Sequence, residues 1–280
     1  MSYALITGSA KGIGKSIANE LAKRGYDLLL TDIDELNLEK TASEIFSKYG
    51  VDINWLRTDL SQGHSVQQLF EWSGSWHDEL DIVVNNAGYG LTGYFDQLSI
   101  NEQLGIVDVN IKAAIAITYA FLPVLYKREK AYLLNVGSTT AYQSVPYLTI
   151  YAASKAFILS YTRSLRYELR NSNISVSCLV PGPTDTEWVQ RAGIGTHTWK
   201  AAKIFNMSPD EVGMIGVKGL FKGKAEIIAG FSNKLNAFLP KFFPKKFVES
   251  IGGRLYDPAK NVIKAHDKNL FHKHGQVVSS

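Results

Sequence analysis

Short apolar runs alternate along the chain with segments in which apolar residues recur every three or four positions. The first run, Tyr3–Thr7, precedes a glycine-rich loop and then apolar residues at helical spacing from 17 to 22, which predicts a strand followed by a helix. The alternation continues to the last predicted helix and strand within 209–231 and predicts an α/β fold, a single doubly wound domain with a mostly parallel sheet. Further strands are predicted at 27–31, 53–57, 81–85, 131–136 and 175–180, and further helices at 34–48, 65–72, 101–126 and 151–170.

The predicted strands end at polar or small residues. Right-handed crossovers place the carboxyl ends of parallel strands at one edge of a sheet, so we expect these residues to share one crevice. The segment 183–208 has no clear periodicity and is predicted to be a substrate lid over that crevice. The strand-end residues are Gly8, Asp32, Asp59, Asn86, Ser138 and Pro181.

Length and composition are those of an ordinary globular protein. With 280 residues, 45% of them hydrophobic and 20% charged, we expect one domain over 1–257 and a C-terminal tail over 258–280. The sequence shows no apolar run near twenty residues, and its first residues are typical of a strand rather than of a leader peptide, so we expect a cytoplasmic location. Cys178 lies within an apolar run, which favours a buried structural thiol over a nucleophile.

Positive charge is concentrated towards the C-terminus. Residues 222–280 hold eleven Lys and Arg against four Asp and Glu, a net charge of +7, whereas residues 1–221 carry −3, which gives the total of +4. The basic region contains no recognised nucleic-acid-binding module, so we expect no nucleic-acid partner. Within 232–248 apolar and basic residues interleave. A helix packed on the domain with solvated lysines explains this best; an apolar substrate entrance and contact with an anionic membrane surface are the alternatives. Two prolines interrupt a long amphipathic helix and make membrane contact the least favoured.

Tyr151 and Lys155 stand four residues apart and therefore on one face of a predicted helix. Lowering the pKa of a tyrosine by three units from about 10 needs about 4 kcal/mol. An ammonium about 4 Å away supplies roughly that energy at an effective dielectric of about 20. The pair is thus suited to proton transfer, although a surface pair without function would show the same spacing.

The glycine-rich loop and a later carboxylate have the pattern of a dinucleotide site. Gly8, Gly12 and Gly14 permit a tight turn and close approach to a pyrophosphate, which the following helix N-terminus attracts. Asp32 ends the second strand, where a carboxylate accepts hydrogen bonds from ribose hydroxyls. The loop could also be only a tight turn, and Asp32 could instead cap the next helix.

One set of motifs occurs in order along the chain: Thr7-Gly-x-x-x-Gly12-x-Gly14, Asp59-Leu60, Asn85-Asn-Ala-Gly88, Asn110, Ser138, Tyr151-x-x-x-Lys155 and Pro181-Gly182-x-Thr184-x-Thr186. Together these motifs resemble the short-chain dehydrogenase/reductase family. The similarity covers 3–188 and implies a seven-stranded Rossmann-type fold, a nicotinamide cofactor, interconversion of carbonyl and hydroxyl groups, and usually a homodimer or homotetramer. Residues 131–187 are more similar to a broad group of bacterial reductases, loosely like fatty-acyl-chain and steroid reductases.

The resemblance assigns four catalytic residues. It implies that Tyr151 is the general acid-base group, while Lys155 lowers the pKa of that phenol and binds the nicotinamide ribose. Ser138 would hydrogen-bond the reacting oxygen, and Asn110 would hold a water molecule that links the lysine to solvent. A strand-end serine can instead be a cap, and a mid-helix asparagine can simply bind backbone.

The resemblance also assigns cofactor contacts. Asp59 would bind the adenine amine, and the backbone of 86–88 would pass close to the adenosine ribose. Thr184 and Thr186 would bind the carboxamide and pyrophosphate, unless their segment is only a rigid turn. Asn85 is expected to bridge strands. No metal is expected. The predicted cofactor-binding residues are Gly8, Lys11, Gly12, Ile13, Gly14, Asp32, Asp59, Leu60, Asn86, Ala87, Gly88, Tyr151, Lys155, Pro181, Gly182, Thr184 and Thr186.

The choice between NAD and NADP depends on opposing charges. Asp32 would repel a 2′-phosphate, whereas Lys11 could attract it. The carboxylate is short and fixed, the lysine can turn to solvent, and Ile33 offers no guanidinium, so we expect NAD, with NADP as the alternative.

Two functions fit the sequence. The first is an oxidoreductase acting on a small-molecule carbonyl or secondary alcohol, and the second is a catalytically silent dinucleotide-binding regulator or scaffold. The presence of all four catalytic residues favours the enzyme. Apolar Trp188, Ile194 and Trp199 in the predicted lid indicate a partly apolar substrate.

Overall fold

The computed structural model describes residues 2–184, 192–195, 198 and 206–260. Within them seven strands form one parallel sheet in the order β3-β2-β1-β4-β5-β6-β7, which confirms the predicted doubly wound α/β fold. Every predicted strand is present, with bounds within one residue of those expected. The strands are β1 Tyr3–Thr7, β2 Asp27–Asp32, β3 Ile53–Arg57, β4 Leu80–Asn85, β5 Ala131–Val136, β6 Ile174–Val180 and β7 Glu226–Ile228.

The helices follow the predicted pattern with one difference. The helix expected over 101–126 contains a π-helical turn, Asp108–Ala113, that separates α4 from α5. A wider turn of this kind moves the side chains after it around the helix axis and often occurs at functional sites. The helices are α1 Gly12–Ala22, α2 Glu35–Tyr49, α3 Ser65–Trp72, α4 Ile100–Val107, α5 Ala114–Tyr126, α6 Thr149–Glu168, α7 Pro209–Phe221, α8 Phe231–Phe238 and α9 Lys245–Tyr256.

Helices cover both faces of the sheet, so the central strands are buried on both sides. Successive residues of β2 illustrate this: Leu28 and Leu30 pack with α1 and α7 residues in one core cluster, and Leu29 packs with Phe121 of α5 in the other. Two buried faces explain why these strands read as continuous apolar runs. Cys178 of β6 is fully buried, as predicted, and burial raises the pKa of its thiol to about 12.

Among the residues that the structure describes, one helical stretch, 100–126, is long and apolar enough to cross a membrane by length and composition. The expectation that no apolar stretch approaches twenty residues was therefore too strict. In this fold the stretch is a core helix, because Ile117, Phe121 and Leu125 are buried against the sheet and α3.

The C-terminal segment differs from its prediction. Instead of one packed helix, it forms α8, a 3-10 turn at Leu239–Phe242, and α9. The breaks fall at Pro240 and Pro244, which cannot donate a backbone hydrogen bond. Most of its large apolar side chains are exposed rather than packed on the domain.

Candidate active site

The loop between β1 and α1 needs its glycines. Gly8 and Gly12 have φ values of +66° and +57°, in the left-handed region that favours glycine. A Cβ on Gly14 would collide with the carbonyl oxygen of Gly8, so α1 begins in direct contact with the loop. The result is a tight turn that leads into a helix N-terminus, the arrangement that receives a pyrophosphate.

Asn86 holds this loop against the end of β4. Its side-chain amide donates to the carbonyl oxygens of Thr7 and Gly8 at 2.9 and 2.8 Å, and the Thr7 hydroxyl accepts from the backbone amides of Asn86 and Ala87, both at 3.1 Å. The sequence indicated only that the backbone of 86–88 passes near the ribose. The Asn86 side chain also positions the glycine-rich loop, through hydrogen bonds to residues about eighty positions earlier in the chain.

Asp32 presents a fixed carboxylate at the end of β2. The backbone amides of Ala10 and Asp34 donate to its two oxygens at 2.9 and 3.0 Å. The alternative that Asp32 caps α2 is wrong, because Asp34 is the capping residue and accepts from the Asn37 amide. Lys11 Nζ lies 3.1 Å from an Asp34 oxygen rather than turning to solvent as expected. Hydrogen bonds from Asn37 and the nearby Lys11 ammonium lower the pKa of Asp34.

Asp59 follows β3 and accepts hydrogen bonds within its own turn. Its Oδ1 accepts from the amide and hydroxyl of Ser61 at 3.0 and 2.7 Å, and its Oδ2 accepts from the Gln62 side chain at 3.1 Å. Burial alone would raise the pKa of Asp59, but these hydrogen bonds lower it. The carboxylate is therefore ionised and held at the edge of the crevice.

Tyr151, Lys155 and Ser138 lie together at the carboxyl end of β5. Tyr151 and Lys155 are 9% and 5% exposed, which excludes a surface pair. Lys155 Nζ donates to the Val136 carbonyl oxygen at 2.8 Å and lies 5.7 Å from the centroid of the Tyr151 ring. Ser138 hydrogen-bonds the Tyr151 phenol and also accepts from the Thr140 amide, so it is both a cap and a partner of the tyrosine.

The protonation of this group differs from the expectation. Burial raises the pKa of Tyr151 above its ordinary value, the nearby Tyr256 raises it further, and the hydrogen bond from Ser138 only partly opposes them. Lys155 lies next to this phenol, but burial lowers the pKa of the lysine to about 8, and its Nζ donates to the Val136 carbonyl oxygen. A protonated phenol is the form that can donate a proton to a carbonyl oxygen.

Asn110 supports the catalytic helix from the π-helical turn. Its side chain bonds the backbone amide and carbonyl of Tyr89, both at 3.0 Å, and donates to the Ser154 hydroxyl at 2.9 Å. Ser154 in turn donates to the Tyr151 carbonyl oxygen at 2.7 Å. A Cβ on Gly88 would lie 2.9 Å from Asn110 Oδ1 and 3.4 Å from Lys155 Nζ, so the glycine lets both side chains approach. The water relay stays a prediction.

One cavity of about 570 Å³ joins these groups. Asn110 does not line it, and Thr186, Trp188 and Trp199 fall outside the described residues. The wall also includes Leu148 and Tyr256, which pack with Tyr151, and Ile194 and Thr198. Of these four residues the sequence indicated only Ile194. The predicted residues that line the cavity are Gly8, Lys11, Gly12, Ile13, Gly14, Asp32, Asp59, Leu60, Asn86, Ala87, Gly88, Ser138, Tyr151, Lys155, Pro181, Gly182 and Thr184.

The lining fits a nicotinamide dinucleotide. The glycine turn and the N-terminus of α1 suit a pyrophosphate, the anchored Asp32 carboxylate suits ribose hydroxyls, and the buried Lys155 suits a second ribose beside the acid-base group. Across the residues that the structure describes, no cluster of His, Cys, Asp and Glu could hold a metal ion. Fold and site thus define an oxidoreductase class that uses a bound dinucleotide.

Comparison with known proteins gives the family. A model described as short chain dehydrogenase matches residues 2–195, and the chain belongs to the short-chain dehydrogenase/reductase family. The solved short-chain dehydrogenase from Sphingobium yanoikuyae in complex with NADPH superposes with a TM-score of 0.76 at 26% identity, covering 92% of this chain and 96% of that one. The family assignment supports binding of a nicotinamide dinucleotide.

Two similar relatives carry hydroxysteroid dehydrogenase-like names. Hydroxysteroid dehydrogenase-like protein 1 of Gallus gallus is 35% identical over 181 residues, and Inactive hydroxysteroid dehydrogenase-like protein 1 of Homo sapiens is 33% identical over 181 residues. Each alignment covers 64% of this chain and 54% of the relative. The matched region therefore spans about half the length of these relatives.

Proposed function

We propose that this protein transfers a hydride between a nicotinamide dinucleotide and a carbonyl or secondary alcohol, with Tyr151 as the general acid-base group. The observation that carries the proposal is the burial of Ser138, Tyr151 and Lys155 in the same cavity as the glycine-rich loop. A surface pair or an isolated turn would not bring these groups together.

Each residue has a distinct role in this proposal. Tyr151 gives the proton of its phenol to the substrate oxygen in reduction and takes a proton from the alcohol in oxidation. Ser138 donates a hydrogen bond to the same oxygen and fixes its position. Lys155 binds ribose hydroxyls, and Asn110 holds α6 in place through Ser154. The bound dinucleotide supplies or accepts the hydride.

The pKa of Tyr151 predicts different pH profiles in the two directions. Because that pKa is raised, the phenol is protonated at neutral pH, and reduction needs no prior ionisation. Oxidation needs the phenolate, so its kcat should rise steadily between neutral pH and about pH 10. Initial rates in both directions across this range would test this. An oxidation rate that falls with pH would contradict the acid-base assignment.

A silent dinucleotide-binding regulator or scaffold is the second candidate. The word "inactive" in the name of the human relative favours it. Against it, this chain has a complete and assembled set of Ser138, Tyr151, Lys155 and Asn110. A screen of ketones, aldehydes and secondary alcohols, followed by the absorbance of reduced nicotinamide with both cofactors, separates the two.

We further propose NAD as the preferred cofactor. Along the adenosine end of the cavity, the described lining residues include three carboxylates, Asp32, Asp34 and Asp59, against one ammonium, that of Lys11. Lys11 is already paired with Asp34, and Ile33 stands where a guanidinium would bind a phosphate. The NADPH complex of the Sphingobium protein is the observation that favours NADP instead.

Cofactor preference can be measured as a ratio of kcat/KM values. The wild type should favour NAD, and Asp32→Ala should move the ratio towards NADP by about tenfold or more, since one close like charge in a partly screened site contributes on the order of 1–2 kcal/mol. Asp52→Ala, at an exposed position away from the cavity lining, is the control. A wild type that already prefers NADP would show that Lys11 decides the choice.

The substrate is proposed to be partly apolar. Leu148 and Tyr256 pack with Tyr151, and Ile194 lines the same cavity, so all three offer apolar surface to a substrate. The substrate lid over 183–208 stays a prediction, because most of it lies outside the described residues. The hydroxysteroid dehydrogenase-like names of the two relatives agree with a bulky apolar substrate.

A homodimer or homotetramer is also proposed. Ile115 and Tyr119 on α5 and Phe157 on α6 are exposed, and Phe157 stacks on Tyr161 one turn later with ring centroids 5.9 Å apart. Exposed apolar stripes on neighbouring helices suit contact between copies. The cytoplasmic location and the lack of a nucleic-acid partner stay predictions.

A further inference from the structure

The segment after β7 exposes a series of large apolar side chains, which we name the C-terminal surface. It runs through α8, the 3-10 turn and α9. Phe231 and Phe242, at 83% and 67% exposed, are more open to solvent than core-forming residues would be. The members of the C-terminal surface are Phe231, Leu235, Phe238, Leu239, Phe242, Phe243, Phe247 and Ile251.

Two ring contacts span the proline breaks. The Phe238 and Phe242 rings contact each other with centroids 4.9 Å apart, which joins α8 to the turn. The Phe243 and Phe247 rings lie 5.7 Å apart and join the end of the turn to α9. Ile251 follows Phe247 by one helical turn on the same face of α9. Exposed apolar side chains are therefore present in all three parts of the segment.

The inner sides of these helices already have partners. Asn233 and Ala237 of α8 are buried, and the Asn233 amide donates to the Ala229 carbonyl oxygen at 2.8 Å. Gly252 of α9 is buried and faces Pro146. The segment thus contacts the domain through small residues and through Tyr256, which packs on the cluster that contains Leu148 and Tyr151. The members of the C-terminal surface are exposed.

Positive charge accompanies the exposed rings. Residues 231–256 contain five Lys and Arg and one Glu, a net +4 that equals the charge of the whole chain, so the remaining residues sum to zero. Lys234, Lys245, Lys246 and Arg254 are all exposed. More than half of the +7 carried by residues 222–280 therefore lies in the same segment as the exposed phenylalanines.

We propose that the C-terminal surface docks on an anionic lipid bilayer. Aromatic and aliphatic side chains enter the headgroup region of a bilayer, and adjacent lysines bind anionic headgroups. A second copy of the chain is a poorer occupant, because two surfaces of charge +4 repel each other. The sequence-based preference for a packed helix is contradicted by the exposure of the phenylalanines. This inference does not depend on the proposed reaction.

Docking would bring the substrate end of the cavity close to the lipid. Tyr256, the last residue of α9, lines the cavity beside Tyr151, and the Thr198 hydroxyl donates to the Leu255 carbonyl oxygen at 2.6 Å. Both contacts attach the docking segment to the cavity wall.

Sedimentation with vesicles tests the docking directly. The full chain should bind vesicles of phosphatidylcholine and phosphatidylglycerol at least about tenfold more tightly than vesicles of phosphatidylcholine alone, and added salt should weaken the binding. Phe242→Ser with Phe243→Ser, and separately Lys245→Glu with Lys246→Glu, should each lower the affinity about tenfold or more. Phe46→Ser and Lys40→Glu, exposed positions on α2, are the matched controls and should bind as the wild type does.

The comparison of lipids needs no variant, so it stands even if a substitution impairs folding. Equal binding of the wild type to neutral and anionic vesicles, or no binding to either, would overturn the proposal. A third outcome would assign the surface to contact between copies instead. In that case the wild type does not bind vesicles, and the Phe242/Phe243 variant loses self-association, as measured by sedimentation equilibrium.

Discussion

Tyr151→Phe should lower kcat for carbonyl reduction by at least about a hundredfold, the usual contribution of a general acid-base group. The substitution removes one oxygen from a buried ring that packs against Val145, Leu148 and Ala152, so the shape of the site is kept. Binding of the dinucleotide should be nearly unchanged, because the phenol acts on the substrate. Steady-state rates and a fluorescence titration with reduced cofactor measure the two quantities separately.

Tyr167→Phe provides the matched control for this experiment. Tyr167 lies on α6, is 68% exposed and does not line the cavity, so the same chemical change there should leave kcat and cofactor binding alone. Turnover in Tyr151→Phe close to that of the wild type would refute the role of the phenol.

Lys155→Ala should damage both cofactor binding and turnover. The Lys155 ammonium is the buried cation next to the acid-base group, held by the Val136 carbonyl oxygen. Loss of a hydrogen bond to a charged group costs about 1.5–3 kcal/mol, which corresponds to roughly a tenfold to hundredfold rise in the Kd for the dinucleotide. Turnover should fall by about a hundredfold or more, because the ribose and the reacting centre lose the same anchor.

Two controls separate this role from a general loss of structure. Lys155→Met retains the length of the side chain and should show the same two defects without a large cavity. Lys112→Ala removes an exposed lysine that pairs with Asp108 and should change neither quantity. A variant at Lys155 in which only binding or only turnover changes would show that the double role is wrong.

Much of the fold was predictable because its signals are local. β1 and β5 have the bounds that their apolar runs predicted, and every residue of both strands is buried, because helices cover both faces of the sheet. Parallel topology then brings Gly8, Asp32 and Ser138 to one edge and into one cavity, as expected from the handedness of the crossovers.

The features that were not predicted depend on contacts between distant segments. The π-helical turn contains Asn110, whose bonds to Tyr89 and Ser154 involve distant segments that local helical spacing does not reveal. The pKa of Lys155 is lowered by burial, and the spacing of Tyr151 and Lys155 in the sequence does not reveal how deeply the lysine is buried. Tyr256 reaches the cavity from the C-terminal segment, beyond the motifs that define the family.

The central claim is that this chain moves a hydride between a dinucleotide and a carbonyl. The direct measurement uses reduced NAD and NADP that carry deuterium at the transferable position of the nicotinamide ring, with a panel of ketones and aldehydes. Mass spectrometry should find at least one product alcohol with one deuterium at its carbinol carbon, and Tyr151→Phe should form that product at least about a hundredfold more slowly. Tight binding of the dinucleotide with no labelled product from any member of the panel would contradict the account and favour the silent binding protein.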